Sequence, residues 1–223
     1  MTALVRYQTA LLVRSQRWLA PVLLYAAFLA VGVRSGQPVL DSLGYAAAGM
    51  LPVTAWLVRI CVTQEPPAAR TVVAAAVGGR PRVHLAALLT ALGCAGALGA
   101  VATAVVLAIS DWASTDHLVR VPPGPAGAAG LLATACCVLL GAAVGALCGR
   151  PLLHGRGWSL AATALAALLA LVTAGSPARY AVTGLVTGSL TGAVHVPVLP
   201  FLAAAAVATA ALALACRLTS VRG

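Results

Sequence analysis

The sequence predicts an all-α polytopic membrane protein with six transmembrane helices, and three observations carry that reading. Of 223 residues, 61% are hydrophobic and only 8% are charged, giving a mean hydropathy of +1.01. The apolar residues gather into six runs, most of them near the roughly 20 residues a helix needs to cross a hydrocarbon core. The arginines then sort onto alternate connections between those runs. A soluble domain carries roughly 25% charged residues and could not solvate so apolar a surface.

The runs cover residues 18–33, 43–61, 83–109, 126–148, 158–174 and 198–216. The third is long enough to tilt or to project beyond the bilayer. Eleven of the 14 arginines lie on one set of connections: Arg6, Arg14, Arg17, Arg59, Arg70, Arg80, Arg82, Arg150, Arg156, Arg217 and Arg222. Arg34, Arg120 and Arg179 lie on the other. Basic loops stay in the cytoplasm, so the expectation is a multi-pass protein of the plasma membrane with both termini cytoplasmic. Asp41, Asp111 and Asp116 fall on the external side. Ala30-Val31-Gly32 resembles a signal-peptide cleavage site, but cleavage would leave an odd number of spans, so the first run reads as an uncleaved helix.

Residues 1–17 read as a helix lying in the membrane interface. Leu4, Tyr7, Leu11 and Trp18 share one side and the three arginines gather roughly opposite, with Gln8 and Ser15 interrupting the apolar side. Residues 175–197 lie between the fifth and sixth runs. They are too short and too interrupted for a crossing, and a seventh span would carry the C-terminal arginines outside. They read as an external re-entrant hairpin or half-helix.

The chemistry that is absent narrows the function. The net charge of +10 comes from dispersed arginines, not from one basic face, so nucleic acid is not the expected partner. With no lysine there is no phosphate-binding loop of the GxxxxGK[ST] type, and no HExxH, GxSxG or EF-hand pattern occurs. His84, His117, His154 and His195 lie apart, and the six cysteines sit in or beside apolar runs without metal-ligand spacing. No acid falls mid-span, which disfavours a proton- or ion-driven carrier. No catalytic residue, metal or cofactor is assigned to the chain.

Two glycine ladders stand out. Gly141, Gly145 and Gly149 recur every four residues in the fourth run, and Gly184, Gly188 and Gly192 do so before the sixth. On a helix that spacing lets another backbone approach closely, so helix packing is the expected role.

The connection between the second and third runs, residues 62–82, carries the functional signal. Glu65-Pro66-Pro67 precedes an alanine- and valine-rich stretch, and Gly78-Gly79-Arg80-Pro81-Arg82 follows it. Proline opens helices and glycine ends them, so a helix of about three turns is bounded on both sides.

An interfacial first helix, six spans, this bounded cytoplasmic helix after a glutamate, and a re-entrant segment before the last span together resemble the permease subunit of a type-2 ABC exporter. The resemblance implies that the cytoplasmic helix docks into a separate ATPase subunit and transmits its motion. It places Glu65 before that coupling helix, Arg70, Thr71 and Val77 on it, and Arg80 and Arg82 in the turn back to the membrane. Pro66-Pro67 stand where the family commonly has charged and Gly-Thr residues. ATP and Mg would reside on the partner subunit, and a second permease chain, identical or homologous, would complete the pair. The cargo would be hydrophobic or amphipathic. The alternative is a non-transporting scaffold or immunity protein that binds a partner within the bilayer through the glycine ladders.

Overall fold

The computed structural model describes residues 1–148 and 156–221, and Gly149, Arg150 and His154 lie outside them. The described residues form nine helices: α1 Thr2–Ser15, α2 Leu19–Gly32, α3 Val39–Thr63, α4 Pro67–Val77, α5 Arg80–Ile109, α6 Pro123–Cys148, α7 Arg156–Val172, α8 Pro177–Thr191 and α9 Val198–Val221. Four of them, α3, α5, α6 and α9, are long and apolar enough to cross a bilayer. The pair α7 and α8 makes a fifth if it is one span, bent by 49° at the break between the helices. The six expected runs therefore reduce to four or five by length. α2 has 14 residues and is about 21 Å long, short of a hydrocarbon core of about 30 Å.

α3 is the central post. It packs most extensively on α6 and α5, then on α8 and α2. The interior is built from small residues: Ala46, Ala47, Ala55, Ala91, Ala95, Ala129, Ala133, Ala142 and Ala204 are all buried. Leu40, Leu43, Met50, Leu51, Leu57 and Leu88 fill the space between them, while many other large aliphatic side chains point outward, with Leu23 63%, Val31 73%, Val101 61%, Leu168 61% and Leu199 81% exposed. Water would penalise that distribution heavily. Lipid tails do not, and small interior residues let helix backbones close on one another.

Two ends can be told apart. At the basic end, Leu12 of α1 joins Val58, Cys61, Leu88, Ala91, Ala146 and Ala215 in one apolar cluster, so α1 is docked onto the bundle. At the far end, the connection of residues 110–122 is pinned by backbone bonds. Val39 N–H donates to the Asp111 carbonyl at 3.0 Å, and Thr115 N–H donates to Ser189 at 2.9 Å. His117 and Asp111 pair there at 3.2 Å on the surface.

α1 buries a different face from the expected one. Leu4, Gln8 and Leu12 are buried and Tyr7 is 40% exposed. Gln8 does not interrupt the docked face; it is the centre of it.

Candidate functional site: the braced helix at the basic end

α4 begins where its sequence requires. Pro66 is extended, Pro67 occupies the first turn, and Arg70 N–H closes onto the Pro66 carbonyl at 3.0 Å. It ends at Gly78, with φ +81°, followed by Gly79 at φ +134°. Side-chain-bearing residues rarely adopt either conformation, so the Gly-Gly pair makes the tight reversal into α5. Pro81 then sits in the first turn of α5.

An 11-residue helix is not stable alone; two of three polar contacts hold α4 against the ends of α3 and α5, and the other fastens α1 beside it. The first is at Arg70, whose guanidinium lies 3.1 Å from His84 Nδ1 and 3.5 Å from the Val62 carbonyl. A guanidinium can only donate, so Nδ1 must accept. His84, 1% exposed, is therefore neutral with its proton on Nε2. That Nε2 has no partner among the described residues. Burial lowers the Arg70 pKa, the Glu65 carboxylate opposes that shift and Arg80 adds to it. The ordinary value is so high that the charge remains.

The second contact ties in α1. Gln64 Nε2 donates to the Gln8 side-chain oxygen and, at 3.3 Å, to the Gln8 carbonyl. Beside it, the Tyr7 hydroxyl donates to Glu65; partial burial and then the Glu65 charge raise the Tyr7 pKa. The third contact closes the other end of α4, where Arg82 Nη1 donates to the Val77 carbonyl at 2.9 Å. A cation at a helix C-terminus also opposes the helix dipole.

The predicted coupling residues thus divide. Arg70 and the exposed Arg82 tether α4, Glu65 accepts from Tyr7 just before it, and Val77 is half-buried. Thr71 and Arg80 are exposed, with the Thr71 hydroxyl bonded to the Ala68 carbonyl at 2.7 Å. The free face of α4 is Thr71, Val72, Ala75 and Ala76, with Val72 70% exposed. Tyr7, Gln8, Gln64, His84 and Val72 were missed by sequence reasoning. The only signal was polar residues placed near span ends, and it does not identify partners.

The glycine ladders also divide. A methyl at Gly145 would lie 2.8 Å from the Ala55 carbonyl of α3, and one at Gly141 would collide with the Leu51 carbonyl. Gly141 and Gly145 thus form the seam between α6 and α3. Gly149 lies outside the described residues. In the second ladder, Gly184 has open space beside it, Gly188 abuts the Ala193 carbonyl, and Gly192 ends α8 at φ +70° against Val119. Those three do not share one groove.

Two cavities lie nearer the far end. One of about 350 Å³ is a wholly apolar groove between α2 and α5. The other, about 640 Å³, lies between α8 and the start of α9 and includes Gly175, Tyr180, Gly184 and His195 in its lining. No group of three metal-ligating side chains occurs among the described residues. No known protein family, curated protein or solved structure matches this chain.

Proposed function

We propose that this chain is the membrane permease subunit of an ATP-driven exporter of the type-2 ABC kind, with a hydrophobic or amphipathic cargo. The observation that carries the reading is the braced α4. It is a short helix held to the ends of α3 and α5, with α1 fastened to the end of α3 beside it and a small face left uncovered. Such a helix can receive a push from a docked ATPase and pass it to the spans without being displaced itself.

Six crossings follow with α2 as a short first span and α7 joined to α8 as one broken span, in place of the external re-entrant hairpin expected for residues 175–197. That arrangement puts the basic end and both termini in the cytoplasm of a plasma-membrane protein. ATP and Mg then belong to the separate ATPase subunit. A second permease chain, identical or homologous, completes the pair. The scaffold or immunity reading is less well supported, because Gly141 and Gly145 in the first of its two recognition ladders are already occupied by α3, and the three glycines of the second do not share one groove.

Co-purification with an ATPase subunit tests the proposal. Val72→Glu is expected to abolish capture while leaving the bundle folded, since Val72 contributes only an exposed surface. If no ATPase subunit is captured, and deletion of residues 67–79 leaves cargo export unchanged, the proposal fails.

A further inference from the structure

α8 carries a feature that its depth makes unusual. Arg179, Thr183, Thr187 and Thr191 recur every four residues and are all exposed, while Ala178, Ala181, Leu185, Gly188 and Ser189 face the bundle. The outward face of this helix therefore carries a polar stripe headed by an arginine, with the Thr187 and Thr191 hydroxyls donating to carbonyls of their own helix and Tyr180, Val186 and Leu190 exposed beside it.

The depth follows from contacts. A methyl at Gly44 of α3 would lie 3.3 Å from Val186 and 3.5 Å from the Val182 carbonyl, and one at Gly188 would lie 3.5 Å from Leu40. α8 thus runs antiparallel along the first turns of α3. Arg179 lies level with α3 residues near Gly49, about 15 Å inward from Val39. On another side of the bundle, a methyl at Gly99 of α5 would lie 3.7 Å from Met50, and Gly36 N–H bonds the Ile109 carbonyl at 3.4 Å. Val101, Val105 and Ile109 therefore span the same depth, and they are 61%, 49% and 41% exposed. At equal depth one face of the bundle is aliphatic and suits lipid, while the other presents an arginine and threonines.

The backbone around the stripe gives a second, independent reason. The helices break between Val172 and Pro177, where residues 172–175 are exposed. After Gly192, which rests on Val119 at the far end, the chain is non-helical to Val198. Pro200 there lies beside mid-α6, its carbonyl 3.6 Å from Cys136 Sγ. Non-helical backbone at membrane depth survives only against protein or water. Arg179 spends one donor on the Val172 carbonyl, at 2.9 Å, and a guanidinium has five. The cavity of about 640 Å³ adjoins the stripe and adds Tyr180 and His195 to its lining.

We propose that the outward face of α8 is the wall of a water-filled vestibule at membrane depth, where Arg179 attracts the anionic group of an amphipathic cargo. The cargo clause rests on the permease reading; the aqueous wall does not. An isolated arginine facing hydrocarbon is strongly disfavoured, whereas in an open cleft it is a counter-charge.

Thiol labelling tests both parts. Thr183→Cys is compared with Val105→Cys, and Thr187→Cys with Ile109→Cys, each pair at matching depth, in the full chain in intact cells. The parent's six cysteines, buried or half-buried, set the background. Membrane-impermeant methanethiosulfonates are applied from outside, one bearing a sulfonate and one a trimethylammonium group. The threonine positions are expected to label at least about tenfold faster than their aliphatic counterparts. At Thr183→Cys, one turn from Arg179, the sulfonate reagent is favoured, and Arg179→Gln lowers the sulfonate-to-ammonium rate ratio by about tenfold at low salt. That factor is the effect of one charge at roughly 6 Å in water on two probes of opposite sign. Threonine positions labelling no faster than their aliphatic counterparts would overturn the vestibule, and a ratio unmoved by Arg179→Gln would overturn the anion site. Labelling does not depend on an ATPase, so loss of the permease reading would show separately, as failed subunit capture.

Discussion

Replacing Arg70 with alanine removes the main tether of α4. A hydrogen bond from a charged group is worth about 1.5–3 kcal/mol. Arg70 is half-buried, and its contact to His84 is 3.1 Å long, so a value near the lower end, about 2 kcal/mol, is appropriate once solvent screening is counted. Without the guanidinium the His84 ring, 1% exposed, has both nitrogens unsatisfied, which adds to the loss. Because α4 has too few turns to persist unaided, the loss appears as local opening, not as collapse of the bundle. Amide hydrogen exchange of the chain in lipid nanodiscs reads it directly. Amides of residues 71–77 are expected to exchange about 30-fold faster, the factor that about 2 kcal/mol represents, while α3 and α5 midspan amides stay unchanged. His84→Ala should reproduce most of the effect, and the double variant should be less than additive because the two residues share one contact. Arg70→Lys keeps the charge without the planar fork and should fall between. Unchanged exchange in both single variants would refute the reasoning. Acceleration only in Arg82→Ala would place the tether at the Val77 end instead.

Glycine substitutions should separate by environment. Gly141→Ala drives a methyl into the Leu51 carbonyl of α3 and should destabilise by about 1–3 kcal/mol, the usual range for overpacking. Gly96→Ala, where nothing lies within 4 Å, should be neutral or stabilise by up to about 1 kcal/mol through helix propensity; thermal unfolding in detergent compares them. The buried amide pair gives a different signature. Gln64→Leu leaves Gln8, 1% exposed, without its donor and should cost about 1–3 kcal/mol, whereas adding Gln8→Leu should recover part of it. A double variant worse than Gln64→Leu alone would show that the pair does not fasten α1.

Several elements were legible before any coordinates. The bounded helix after Glu65 needed only prolines before it and two glycines after it, and the helix lies at Pro67–Val77, opened by an extended Pro66 and closed by Gly78 and Gly79 at positive φ. Apolar runs of about 20 residues declare themselves as helices, whatever surrounds them. The partners of Arg70 were not legible, because His84 is 14 residues away and reaches it only after the Gly-Gly reversal. Nor was the difference between Gly141 and Gly184, since both occupy the same four-residue spacing. One faces a carbonyl and the other faces open space.

The linear order of residues determined the helical class, the apolar runs, the sorting of arginines and the limits of α4, because each depends on local dihedral preference or on summed transfer energy. Only the packed bundle decided that Gln8 centres the docked side of α1, that Arg70 turns inward, and that Arg179 heads a polar stripe at the depth of Val101. The physical reason is direction. Composition states how apolar a helix is, but the side on which a neighbour lies is set by contacts between segments far apart in the chain.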